Sequence, residues 1–129
     1  MIVVDASAMV ELLLGTEIGK RVDERVMQVK RHAPHLLDIE VVQVFRRFVH
    51  SRQLTAQRAS AAIDDLVRFP VQRHPHVGLL ERVFQLRANL TAYDALYLAL
   101  AEALDATLVT CDAGLAKASG RRTAIEVVA

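Results

Sequence analysis

Residues 2–7 read Ile-Val-Val-Asp-Ala-Ser, and the change of character at Asp5 decides the fold. A wholly apolar triplet suits a short strand covered on both faces, while Asp5 and Ser7 are residue types that open helices. The same grammar returns near the other end, where Thr107-Leu108-Val109-Thr110-Cys111 runs into Asp112. Strands that hand over to helices, with helical sequence between them, imply an α/β fold with a central parallel sheet covered by helices. Asp5 and Asp112 then stand at the carboxyl ends of strands, where such sheets bind ligands.

Between those two points the chain reads mostly as helix. Helices are expected over 6–14, stopped by Gly15, and over 17–31, where Ile18, Val22, Val26 and Val29 recur at helical spacing. Pro34 breaks the chain, and a third helix over 36–50 carries the stripe Leu37, Val41, Val44, Phe45 and Phe48. Thr55 is a candidate N-cap for a fourth, which Pro70 ends, and residues 71–73 read as a short second strand. An amphipathic fifth helix is expected over 77–88 and a sixth over 91–104. Within the sixth, residues 95–101 are apolar all round and should be buried on every side. A third strand over 107–110, a short helix over 112–118 closed by Gly120, and a last strand over 125–128 complete the reading.

Length and composition bound the rest. The chain has 129 residues, which suits one domain, 1–129, able to bury roughly two-thirds of its unfolded surface. With 53% hydrophobic and 24% charged residues and only 5 Gly and 3 Pro, it is neither disordered nor fibrous. A charge at residue 5 leaves no room for a secretory signal, and charges interrupt every apolar run well short of the roughly 18 to 20 residues of a membrane span. The expected location is cytoplasmic, with no membrane. The single Cys111 cannot form an internal disulfide, which agrees with a reducing compartment.

Four carboxylates, Asp5, Glu40, Asp94 and Asp112, lie beside or within apolar stretches, where a charge is costly unless something positive meets it. Each has a structural explanation when taken singly. Asp5 and Asp112 can cap the helices that follow them. Thr91-Ala92-Tyr93-Asp94 matches a capping box, and Glu40 sits on the margin of an apolar stripe as a solvated glutamate does. Taken together they differ, because four acids converging on one sheet edge repel each other strongly unless a cation joins them. Oxygen-only ligands select hard ions, so Mg²⁺ or Mn²⁺ fits better than zinc. His32 with His35, and His74 with His76, have spacings seen in zinc sites, but each pair flanks a proline in polar, loop-like sequence. Cys111 has no nearby histidine partner and reads as a small residue at a strand end.

Charge supports a polyanionic partner. With the four acids committed to metal, 16 Lys and Arg face eleven remaining acids, an excess of five. Thirteen of the cations are arginine, a residue suited to phosphate, although GC-rich coding produces the same bias.

The chain resembles the PIN-domain family and, within it, the VapC-type toxin ribonucleases of bacterial toxin–antitoxin pairs. The resemblance runs nearly end to end. It rests on IVVDASA with Asp5 and Ser7, EVVQVFRR with Glu40, LTAYDALYLALAEAL with Asp94, and ATLVTCDAGLAKA with Thr110 and Asp112, in that order. It implies a three-layer α/β/α fold, Mg²⁺- or Mn²⁺-dependent endoribonuclease activity, and inhibition by a cognate antitoxin. Carried over, Asp5, Glu40, Asp94 and Asp112 form the acidic catalytic and metal site, with Ser7 and Thr110 as supporting polar groups.

A cation held by those acids would polarise a phosphate and lower the pKa of a bound water, so that cleavage leaves a 5′-phosphate. Glu40 would bind the ion or orient the water as base. Three rivals remain at this stage: an idle interaction module that kept the fold without the chemistry, a PIN-type RNA-processing nuclease without an antitoxin, and a phosphotransfer enzyme with Asp5 as nucleophile. Specificity is expected from loop geometry and from arginines such as Arg46, Arg47, Arg52 and Arg73, since there is no Trp and Phe and Tyr number six. The apolar faces of the helices after Leu36 and Thr55 are expected to serve core packing before an antitoxin or a homodimer contact.

Overall fold

The computed structural model describes residues 1–118 and 120–129 and shows one five-stranded parallel sheet in the order β3-β2-β1-β4-β5. The strands are β1 (Ile2–Val4), β2 (Arg31–Pro34), β3 (Gln72–His74), β4 (Thr107–Thr110) and β5 (Ile125–Val127). Ile2 pairs with Arg31 on one side and Thr107 on the other, so β1 is the central strand. The chain builds outward from β1 to β2 and β3, then crosses back to lay β4 and β5 on the opposite side. That reversal opens a crevice outside the carboxyl ends of β1 and β4, the position at which open α/β sheets bind ligands.

Six helices cover the sheet to give the three-layer α/β/α architecture: α1 (Ala6–Leu14), α2 (Glu17–Val26), α3 (Leu36–His50), α4 (Ala56–Arg68), α5 (Leu80–Gln85) and α6 (Ala92–Leu104). α6 packs on β1, β2 and β4, and Ala95 to Ala101 are all buried, because this helix has neighbours on every side. α1 packs against α2, α3, α4 and β4. Helix starts are set by short polar side chains: Asp5, Thr16, Thr55 and Thr91 each accept a hydrogen bond from a first-turn N–H. Gly15 ends α1 in the left-handed region, at φ 65, where a Cβ would be strained. The apolar stripes of α3 and α4 do enter the core, through Leu37, Val41 and Phe45 and through Ala59, Ala62 and Leu66. Among the described residues no helix is long and apolar enough to cross a membrane.

Several sequence expectations need correction. α2 ends at Val26 instead of continuing to residue 31, and residues 31–34 form a strand that the sequence reading lacked. Arg-His-Ala-Pro has no strand pattern of its own. It is held by β1 and β3 on its two sides, and Pro34, at its end, needs no N–H in the ladder. β3 begins one residue later than expected. The fifth helix is split into a 3₁₀ turn (Val77–Leu79) and α5, and the helix expected at 112–118 is only a 3₁₀ turn (Leu115–Lys117). With so few residues, each lies below the length at which helices are self-supporting.

Candidate active site

Asp5 leaves β1 as the N-cap of α1 and is only 6% exposed. Both of its carboxylate oxygens are engaged: the Ala8 N–H (3.0 Å) and Ser7 Oγ (2.7 Å) donate to Oδ1, and Thr110 Oγ1 donates to Oδ2. Since both hydroxyl protons point at Asp5, the 3.2 Å approach between Ser7 and Thr110 is a contact between acceptors already spoken for. Ser7 Oγ in turn accepts from the Cys111 N–H (2.9 Å), and Thr110 Oγ1 from the Asp112 N–H (3.0 Å). These bonds sew the end of β1 to the end of β4. They also fix where Asp112 begins, and its Oδ1 accepts from the Gly114 N–H.

Asp94 enters from the first turn of α6. Its N–H donates to Thr91 Oγ1 at 3.2 Å, the N-cap half of a capping box, yet burial and the Asp112 charge raise its carboxyl above the ordinary range. Glu40 enters from α3, and Tyr97 Oη, one turn along α6 from Asp94, donates to Glu40 Oε1 at 2.6 Å. Burial raises Glu40, the Tyr97 bond opposes that rise, and the charges of Asp94 and Asp5 add to it. Asp5 is raised by burial, against its three donors, with a further push from Asp94.

The four acids therefore sense one another across four elements, and every charge acting on Asp5, Glu40 and Asp94 is another carboxylate. This is an uncompensated acidic edge. Among the described residues no three His, Cys, Asp or Glu side chains are grouped closely enough to hold an ion as they stand. In chemistry the donor set fits a hard divalent cation: it is all oxygen, and it lacks any positive partner.

The other candidates resolve differently. Burial, with Asp5 and Glu11, pushes the Cys111 thiol up to about 11, so it is no nucleophile at neutral pH. His32 and His74 lie in strands, while His35 and His76 lie just beyond them, and the close pair runs across sequence: His32 Nδ1 meets His74 Nε2 at 2.8 Å between β2 and β3. Tyr97 is the site residue that sequence reading missed. Its signal was present, because a phenol inside an otherwise Ala- and Leu-built buried helix must find a partner for its hydroxyl.

A doubly wound parallel sheet with acids gathered at its switch point defines a class of α/β domains, and comparison with known proteins supplies the family. A model described as PIN domain matches residues 2–121. Ribonuclease VapC1 of Mycobacterium tuberculosis is 44% identical over 128 residues, spanning 98% of this chain and 96% of that protein. Ribonuclease VapC12 of the same species is 39% identical over 129 residues and the whole of both chains. The crystal structure of VapBC2 from Rickettsia felis, bound to a DNA fragment from their promoter, superposes with a TM-score of 0.70 over 98% of each chain at 14% identity, a likeness of fold alone. The chain belongs to the PIN-domain family, in its VapC-type branch.

Proposed function

We propose that this chain, acting as one domain over residues 1–129, is a divalent-cation-dependent endoribonuclease and the toxin of a toxin–antitoxin pair. The observation that carries the reading is the acidic edge: Asp5, Glu40 and Asp94 come from three separate elements, and the charges acting on them are one another's carboxylates and that of Asp112. Nothing in fold stability favours such a cluster, since repulsion and burial both penalise it. Relatives at 44% and 39% identity that bear the name ribonuclease support the choice of substrate class.

Asp5, Asp94 and Asp112 would hold Mg²⁺ or Mn²⁺, which would supply charge neutralisation at the phosphate and a water of lowered pKa. Asp5 serves as the fixed point, because three donors, the capping Ala8 N–H among them, leave it one geometry. Ser7 and Thr110 are positioning residues that act through it. Glu40 is the proton acceptor: burial raises its basicity, and the Tyr97 bond aims it. Water attacks phosphorus and gives its proton to Glu40. The P–O3′ bond breaks and the departing O3′ takes a proton from solvent, leaving a 5′-phosphate on one fragment and a 3′-hydroxyl on the other, while Glu40 returns its proton to solvent. The antitoxin partner is supported by the VapC-type membership and by an apolar cleft of about 310 Å³ between α3 and α4, lined by Val42, Phe45, Val49 and Ile63 among others.

Two measurements test this. Purified protein should cleave RNA with Mg²⁺ or Mn²⁺, with EDTA stopping it and Asp94→Asn lowering it roughly 10²-fold or more. Raised carboxyl pKa values mean that the acids stabilise the fold only when protonated and cost stability at neutral pH, so Asp94→Asn should melt higher than the unaltered protein. Mn²⁺ should raise the melting temperature of the unaltered protein, on the order of 5 °C, and that of the Asn variant less. Full activity in the Asn variant would reject the assignment.

A further inference from the structure

The aromatic residues leave one face open beside the acidic edge. Tyr97 and Phe45 are buried, and Phe48 and Phe69 pack against the core. Phe84 is exposed, but the Arg87 guanidinium covers its ring at 4.3 Å. Tyr93 is 60% exposed and stands immediately before Asp94 in the first turn of α6. Tyr93 lines a cavity of about 340 Å³ together with Glu40, Gln43, Arg47, Leu36 and Ile39. The lining thus combines the proposed proton acceptor with apolar side chains, an amide and a guanidinium.

The arginines sort in the same direction. Arg73 is committed to Asp38 by two bonds, at 2.8 and 3.0 Å, and to the Leu66 carbonyl. Arg46 lines the α3–α4 cleft, and Arg52 lies at the turn after α3. Of the four, Arg47 lines the cavity that Glu40 also lines. Proteins read single-stranded RNA by splaying a base out, stacking it on an aromatic or guanidinium plane and bonding its edge. Tyr93, Arg47 and Gln43 supply those three functions at one place.

We propose that this cavity is a nucleobase subsite, in which Tyr93 stacks on an unpaired RNA base next to the scissile phosphate while Arg47 and Gln43 hold that nucleotide. The inference rests on the ribonuclease reading and adds its specificity determinants. Tyr93 is a binding residue, not a proton carrier, so its effect falls on KM more than on kcat.

The test uses an RNA oligonucleotide that the unaltered protein cleaves, and a panel of the same oligonucleotide with one base at a time removed. Tyr93→Ala should raise KM about tenfold, the size of one lost base stack, while Tyr93→Phe stays within about twofold. Removing one particular base beside the cut should raise KM for the unaltered protein and add nothing further in Tyr93→Ala. An unchanged KM in Tyr93→Ala, equal losses in the Phe and Ala variants, or losses that add at every position would overturn the subsite and leave the nuclease reading standing; the last pattern would assign the surface to a protein partner or to general packing. If the unaltered protein cleaves no RNA, the nuclease reading falls, and fluorescence anisotropy on the same panel decides the subsite alone.

Discussion

Tyr97 is a phenol buried among alanines and leucines, and its single use for that hydroxyl is the 2.6 Å bond to Glu40. Because this bond favours the charged form of the carboxylate, Tyr97→Phe should raise the Glu40 pKa still further. The acidic limb of the kcat/KM profile should then move to higher pH, and kcat should fall roughly tenfold as Glu40 loses its aim. A profile that stays in place would show that Glu40 is not the group titrating. The acids themselves were legible in the sequence because each broke an apolar run. What each does was not, since Asp5 is a helix cap, and Asp94 lies in the first turn of a helix, as well as each belonging to the acidic edge. A carboxylate's neighbours across the fold decide its role, and spacing along the chain carries none of that information.

At the scale of the element, Gly19 shows how α2 is seated. A Cβ there would stand 1.9 Å from the Glu11 carbonyl oxygen, so α2 crosses against the backbone of α1 at a point where only hydrogen fits. Gly19→Ala should therefore cost about 3 kcal/mol or more despite alanine's better helix propensity, read as a drop in the urea midpoint. A neutral outcome would mean that the two helices separate at little cost. Helix starts were legible, because Ser, Thr and Asp caps act within four residues. β2 was not, since Arg31-His32-Ala33-Pro34 becomes a strand only through pairing on both sides.

At the scale of the whole molecule, the β2–β3 side of the sheet carries a pH dependence. His32 is buried and held below its ordinary pKa by burial first, and by the positive charges of His74, the Met1 amine and Lys30, while its Nε2 has no partner among the described residues. The folded state thus binds fewer protons than the unfolded one, and stability falls as pH drops below about 6.5 and through the lowered value. Melting temperature should fall between pH 7.5 and pH 5 by a few degrees more in the unaltered protein than in His32→Gln, the comparison cancelling the opposite trend of the raised carboxylates. Identical slopes would remove His32 as the cause.

The sequence by itself determined the handover from strand to helix at Asp5, the caps and the all-round burial of α6, and it marked four acids as candidates, because these readings rest on residues a few positions apart. Tertiary structure decided the strand order, the crevice between β1 and β4, the Tyr97–Glu40 bond, the His32–His74 pair and the cavity beside Tyr93. Each of these joins residues tens of positions apart, and such contacts depend on how the crossovers close in space. The acids acquire their shared electrostatics only when that closure brings their elements to one edge.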